Sequence, residues 1–434
     1  MFKSKISAII ILSLCSLVLA ISPSQPEINL SRQWVAEHFV IAPAASIPFS
    51  FMYEGKPSSE LLSAWQVNQT EKSLSPDRVL HTITFTDPAT LLQIRCEATE
   101  YTSYPAAEWV VYFKNTGDKD TPILKDVQAL NMSFSRPDNG NFILYHARGS
   151  EAGLLDFQPL VHTIAPESNF ELFSHGMANG AGVRGGTCSV EYMPFFNLEG
   201  AGNGIITAVG WTGTWRAKFS RTAANEVKIT AGMDRTELSL YPGEQIRTPR
   251  ILALYWEKDR IRGHNLWRRL LRQYYSPRPG GQPFRGLICD SNWGWMPASQ
   301  QIEAMDRIAR AGLPVDCYWI DASWSGTSAA DNWIQMLSNR QARPDLYPRG
   351  MKEVSDAAHQ RHMKLQLWFV PHCIDPSVEI GKEHPEWLGE PYDFSGNYYS
   401  LDHGDPKVNQ FMIEYYTKIV RDYGLDVFRE DGRP

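Results

Sequence analysis

Hydrophobic positions change their period once along this chain. From Ser22 to about Arg260 they recur every second residue: Leu92, Ile94, Cys96 and Ala98 alternate with Gln93, Arg95 and Glu97, and Val227 and Ile229 flank Lys228. Leu238 and Leu240 flank Ser239 in the same way. That period puts alternate side chains on opposite faces of a strand. Turn signals at Asn115-Thr-Gly117, Pro137-Asp-Asn-Gly140 and Tyr241-Pro-Gly243 separate the runs. The pattern predicts a large antiparallel β-sandwich.

Near Asp259 the period becomes helical. His264 to Tyr275 carries Leu266, Leu270 and Tyr274 on one face, and Ser276-Pro-Arg-Pro-Gly-Gly281 breaks it. After Phe284 apolar runs alternate with amphipathic ones. Leu287–Cys289, Val315–Ile320, Leu365–Val370 and Leu425–Phe428 read as strands, the third almost wholly apolar, as burial on both faces requires. Between them lie predicted helices over Gln300–Ala311, with Ser299 as N-cap and Gly312 as stop, and over Met351–His362. Asp405-Pro406 opens a third helix, carrying Val408, Phe411, Met412, Tyr415 and Ile419 to a stop at Gly424. Repeated βα units without a Gly-rich phosphate loop fit the first half of a (β/α)8 barrel better than a doubly wound sheet. Four strands are half of such a barrel, so a truncated barrel is expected.

The first residues stand apart. Lys3 and Lys5 precede an apolar run, Ile9 to Leu19, that ends in Val18-Leu19-Ala20. This is a signal-peptide layout, too short for a stable span, and predicts a secreted or periplasmic protein with no membrane anchor after cleavage near Ala20. The expected organisation is a signal peptide over 1–20, a β-sandwich domain over 21–260, a linking helix and linker over 261–283, and a partial barrel over 284–434.

A net charge of −6 without a Lys/Arg run argues against a nucleic-acid partner. Of six cysteines, Cys96, Cys188, Cys289, Cys317 and Cys373 follow the cleavage point; none has metal-ligand spacing. Buried free thiols are the simpler reading, with a Cys289–Cys317 bridge as the alternative. Fourteen Trp and 18 Tyr are many for this length; such rings stack on sugar faces and also fill cores.

Candidate chemistry gathers where the predicted parallel strands end, the open face of a βα barrel. Strand one runs into Asp290-Ser-Asn-Trp-Gly-Trp295, strand two into Asp321-Ala-Ser-Trp324, and strand four into Arg429-Glu430-Asp431; strand three carries Trp368 and leads to Pro371-His372. Carboxylates and tryptophans on one rim suit a sugar pocket. Each also has a plain structural reading: Asp321 as a turn cap, Trp293, Trp295 and Trp324 as plugs of the barrel mouth, His372 as a packed loop histidine. Glu430 and Asp431 are adjacent, so only one can face the cavity.

These strand ends resemble glycoside hydrolase family 36, the α-galactosidase-like family. Trp319-Ile-Asp-Ala-Ser-Trp324 resembles its second-strand motif, Met363-Lys-Leu-Gln-Leu-Trp-Phe369 its third-strand segment, and His384-Pro-Glu-Trp387 the His-Pro-x-Trp that follows. Leu401-Asp402 before Asp405-Pro406, the Arg429-Glu-Asp431 run, and Gly210-Trp-Thr-Gly-Thr-Trp215 upstream also match in order. The resemblance implies a β-supersandwich followed by a TIM barrel, retaining hydrolysis of terminal α-galactosides, no metal and no cofactor. It makes Asp431 the nucleophile and Asp321, Trp324, Trp368, Arg429, Trp293 and Trp211 substrate-binding residues; Arg429 would also help keep the nucleophile ionised. The acid/base aspartate belongs to a later strand. The sequence departs from the pattern at Ala322, where the resemblance implies a second aspartate that joins Asp321 in binding the sugar 4- and 6-hydroxyls, at Val370, where glutamate is usual, and at Arg433, where asparagine is usual; the arginine often found before Leu401-Asp402 is missing. These departures bear on sugar selectivity more than on the hydrolase class. The partner implied is an oligosaccharide or glycoside; self-association is left open. The alternatives are α-N-acetylgalactosaminidase, β-L-arabinopyranosidase, or a catalytically silent carbohydrate-binding protein.

Overall fold

The computed structural model describes residues 22–41, 44, 46–150, 153–174, 178–179, 182–183, 188–391 and 399–431. The expected signal peptide lies outside them. The chain forms two compact units, 1–277 and 278–434.

The first unit is a pair of antiparallel sheets. One runs in the order 66–75, 78–86, 92–101, 106–115, 250–257, 203–210, 195–200, 142–147 and 159–164; the other in the order 169–173, 215–223, 226–233, 124–135, 50–53 and 56–57. Alternation decides which side of each strand closes. Leu92, Ile94, Cys96 and Ala98 are buried with Val111, Leu198 and Ile251 of the same sheet, against Leu130, Phe219, Val227 and Ile229 of the other. The sandwich expected from the period of two is therefore present.

Two details of this unit differ from expectation. The region opens on a helix that the period of two does not display, Gln25–Val35. Ser24 and Glu27 close a capping box, with Pro26 in the first turn. Glu27 is fully buried, accepting from the Glu257 N–H at 2.9 Å and, through Oε2, from Arg262 at 2.7 Å. Burial pushes this carboxyl up, but Arg262 and the backbone donors outweigh it and hold it below the usual range. The second detail is the predicted linking helix. It spans Arg260–Tyr274, capped by Asp259, and Leu266, Trp267 and Leu270 pack on Ile206, Leu252, Leu254 and Trp256 of the larger sheet. It thus belongs to the first unit.

The second unit is a four-stranded parallel sheet in sequential order: β1 (Cys289–Asn292), β2 (Cys317–Ile320), β3 (Lys364–Phe369) and β4 (Val427–Glu430). Helices α1 (Ala298–Arg310), α2 (Trp333–Asn339), α3 (Met351–Gln360) and α4 (Pro406–Tyr423) lie between them in sequence. Pro297, not Ser299, is the N-cap residue of α1. Asp405 caps α4 through its side chain, and Gly424 ends it at φ 64°. The seven-residue α2 has no apolar periodicity long enough to be read from sequence. The five cysteines among the described residues are unbridged. Cys289 and Cys317 are register partners on β1 and β2; burial and its neighbour Cys289 push the Cys317 thiol up to about 12. Among the described residues no helix is long and apolar enough to cross a membrane.

Candidate active site

Successive residues of a strand point to opposite faces, and the register of the four parallel strands sorts theirs. Tyr318, Ile320, Leu365, Leu367 and Phe369 join the buried cluster formed with Met305, Met351, Val354 and Ile419 of the helices. The residues between them, Trp319 on β2, Gln366 and Trp368 on β3 and Arg429 on β4, share the opposite face. Trp319 pairs with Gln366, and Trp368 with Arg429. On β1, Asp290 pairs with Tyr318 and so lies on the helix side, away from the rim the sequence assigned to it.

Asp431 continues the β4 alternation one step past the strand. Its N–H donates to the Phe369 carbonyl at 2.8 Å, which keeps it beside β3. The Trp368 indole Nε1 donates to Asp431 Oδ2 at 2.8 Å, and Arg429 Nη2 reaches the same oxygen at 3.3 Å. The Arg429 guanidinium also lies 4.4 Å over the Trp319 ring. The Asp431 side chain keeps 48% of its surface exposed. A carboxylate oriented by two donors on one oxygen yet open to solvent is suited to attack or to hydroxyl binding. Glu430 points elsewhere, into a groove of about 760 Å³ along α4 with Met412, Ile413, Tyr416 and Phe428. The adjacent pair is thus divided between two faces.

Asp321 follows β2 in register beside Trp368. Its N–H donates to the Asn292 carbonyl, and its Oδ1 accepts from the Ala322 N–H, both at 2.8 Å. It is in part the turn cap of the plain reading. With β3 between their strands and Asp431 two residues further along, Asp321 and Asp431 have backbones roughly 12 Å apart, which leaves room for a sugar ring and is wide for a carboxyl pair acting on one bond. Trp293 lies half exposed after β1. The next residue is glycine because a Cβ on Gly294 would stand 2.2 Å from the Trp324 backbone nitrogen.

Trp324 corrects the expectation of a pocket wall. It is 1% exposed, its Nε1 donates to the Trp368 carbonyl at 2.8 Å, and it packs edge-on against Phe369. The cause is Ser323, whose φ of 72° reverses the chain and swings Trp324 into the helix-side core. Trp324 therefore supports Trp368 from behind. Trp211 lies in the first unit, partly buried on its core with Arg247 5.6 Å from its ring. His372 is buried after β3; burial, then Arg340 and His403, lowers its pKa while Asp431 opposes them. Two aromatics escaped the sequence reading as site residues: Trp319 beneath Arg429, and Trp333, whose ring is 5.9 Å from that of Trp368. The register of the Trp319-Ile-Asp321 run held the signal for the first; nothing in sequence marked the second.

The Melibiase family matches residues 288–432. Alpha-galactosidase Mel36A of Lactobacillus acidophilus is 22% identical over 262 residues, 57% of this chain and 35% of that protein. Alpha-galactosidase 2 of Hypocrea jecorina is 22% identical over 285 residues, 59% of this chain and 37% of its own length. The chain thus spans about a third of the length of these curated relatives. In fold it is similar to the GH36 alpha-galactosidase AgaA of Geobacillus stearothermophilus, at TM-score 0.69 and 16% identity over 90% of this chain and 55% of that one. The alpha-galactosidase of Lactobacillus brevis gives TM-score 0.68 at 16% identity, covering 90% and 53%.

Proposed function

From a chain whose residues 288–432 match the Melibiase family and whose relatives in sequence and fold are α-galactosidases, we propose a retaining glycoside hydrolase that releases terminal α-galactosyl groups. The observation that carries this reading is the half-exposed Asp431 carboxylate, oriented on one oxygen by Trp368 and Arg429. In the proposed mechanism the Asp431 carboxylate attacks the anomeric carbon, and the leaving oxygen takes a proton from the acid/base group that the family resemblance assigns to a later strand. Water then cleaves the glycosyl–enzyme ester with that group acting as base, the two-carboxylate scheme of retaining hydrolysis. Asp321 accepts hydrogen bonds from sugar hydroxyls, and Trp368 and Trp293 wall the ring. Structures of AgaA variants in complex with raffinose and stachyose support an oligosaccharide as the substrate class.

In the same reading, β1 to β4 are the first half of a (β/α)8 barrel. Among the described residues β1 pairs only with β2 and β4 only with β3, and Phe428 and Ile413 beside β4 are exposed apolar side chains. Further βα units would cover them. Export through the N-terminal leader remains part of the proposal. A β-L-arabinopyranosidase is the second reading. It is favoured by the burial of Ala322 and Val370, where the family pattern has carboxylates, in one apolar cluster with Leu337, Trp368 and Cys373.

The test is Asp431→Ala in the complete protein. Removing a nucleophile should lower kcat/KM on an aryl α-galactoside by roughly 10⁴-fold or more and abolish covalent labelling by a mechanism-based galactoside. The fold should survive, with stability lowered by no more than about 1–3 kcal/mol for the Trp368 Nε1 left without its acceptor. Labelling that persists, or that maps to Glu430, overturns the assignment.

A further inference from the structure

The segment after β2 holds an aromatic for which the mechanism above has no use. Trp333 opens α2 and is 45% exposed, unusual for so large an apolar side chain. Its ring lies 5.9 Å from that of Trp368 at 44°. Trp368 is itself buried and bonded to Asp431. The two indoles therefore run outward in sequence from the reacting carboxylate to solvent.

An exposed ring on a loose loop gains little from stacking, because ordering it offsets the contact. The backbone beneath Trp333 is fastened at several points. Asn332 and Gln335 form a reciprocal capping box at the start of α2. Gln335 Nε2 donates to Ser377 Oγ at 3.1 Å, and Ser338 Oγ accepts the Asp375 N–H at 2.7 Å. Leu337 packs in the buried cluster with Trp368. Arg340, 1% exposed at the end of α2, donates to the carbonyls of Ser338, Val370, Pro371 and Cys373 at 2.9, 3.2, 3.1 and 2.5 Å. These bonds tie α2 to the turn that follows β3. Trp333 is thus an exposed ring on an ordered base, the arrangement of a preorganised contact surface.

We propose that Trp333 is a specificity-determining residue that stacks on the leaving-group sugar, the unit beyond the bond cleaved. The proposal rests on Asp431 as nucleophile. A galactosyl ring whose anomeric carbon reaches Asp431 occupies the space walled by Trp368. The leaving group departs on the side opposite the nucleophile, toward solvent, and the next ring outward is Trp333. The apolar C–H face of a pyranose matches an indole face there.

The experiment compares two substrates with Trp333→Ala and Trp333→Phe in the complete protein. α-Galactosyl-(1→6)-glucose has a sugar leaving group, whereas α-galactosyl fluoride has a single atom that needs no ring contact. Trp333→Ala should raise KM for the disaccharide about tenfold, with Trp333→Phe intermediate, and leave kcat/KM for the fluoride within about twofold. Equal losses on both substrates would reduce Trp333 to a structural residue, and unchanged KM on the disaccharide would remove it from the site; either result overturns the proposal. If the unsubstituted protein turns over neither substrate, the assigned activity fails separately. Trp333 is then judged by calorimetric binding of the same disaccharide, where an affinity unchanged by Trp333→Ala overturns it.

Discussion

In the first unit alternate side chains from two sheets close into one core, whereas the second buries one side of its sheet under helices and sets Trp319, Trp368, Arg429 and Asp431 on the other. Both obey the same alternation, with opposite use of the second face. In the sandwich a buried charge is neutralised at once: Glu27 meets Arg262 and two backbone donors. On the parallel sheet Arg429 and Asp431 stay part-exposed, their contacts orienting them without removing them from water. If the proposed function holds, stability and chemistry fall to different residues, and each can be perturbed without the other.

The largest separation expected is at Arg262. Replacing it with Met leaves Glu27 buried and unpaired, which should destabilise the first unit by about 3–5 kcal/mol. Calorimetry should show an earlier melt, while turnover per folded molecule stays unchanged. The pH dependence has a definite sign. The folded Glu27 carboxyl lies below its unfolded value, so its contribution is present above the unfolded pKa and is lost as pH falls through the folded one. Glu27→Gln should flatten the acid limb of the melting curve, and an unchanged limb would refute the pairing as a source of stability.

A smaller effect separates two tryptophans that the sequence placed in one role. Trp324→Phe leaves the Trp368 carbonyl without its buried donor and should lower stability by about 1–3 kcal/mol. Trp293→Phe, at an exposed position, should stay within about 0.5 kcal/mol. Paired melts of the two variants decide it, and equal shifts would contradict the buried placement of Trp324.

That pair also marks the limit of what sequence displays. Leu92 to Ala98 was legible because a strand repeats its environment every second residue, and α4 because Asp405-Pro406 and Gly424 fix its ends by local chemistry. Asp431 rather than Glu430 follows once the strand's register is known. Trp324 was misplaced because Ser323 adopts positive φ, which breaks the period just where it was being extrapolated. Trp333 was missed because a seven-residue helix shows no period, and exposure in such a segment depends on distant partners such as Val370 and Ser377. The helix over Gln25–Val35 did carry a signal, Ser24 with Glu27 three residues on, overshadowed by the strands around it.

The smallest expected effect concerns the sugar itself. Asp321 keeps one of the two acceptors that the family resemblance assigns to the 4- and 6-hydroxyls, and Ala322 lacks the other. One hydrogen bond to a hydroxyl contributes about 0.5–1.5 kcal/mol, up to roughly tenfold in affinity. Ala322 is 2% exposed among Leu337, Trp368, Val370 and Cys373, so a carboxylate restored there alone would be buried without a partner. Ala322→Asp should therefore lower stability, by about 3–5 kcal/mol on the scale of an uncompensated buried carboxylate, and should not sharpen galactose selectivity. In the unsubstituted protein, an aryl β-L-arabinopyranoside differs from the aryl α-galactoside only by the hydroxymethyl group. It should be cleaved with a kcat/KM within about a thousandfold of the galactoside, since a wider gap exceeds 4 kcal/mol. A wider gap would show that contacts other than residue 322 read the 6-position, and a gain in galactoside preference on Ala322→Asp would show that the cluster opens to the sugar after all.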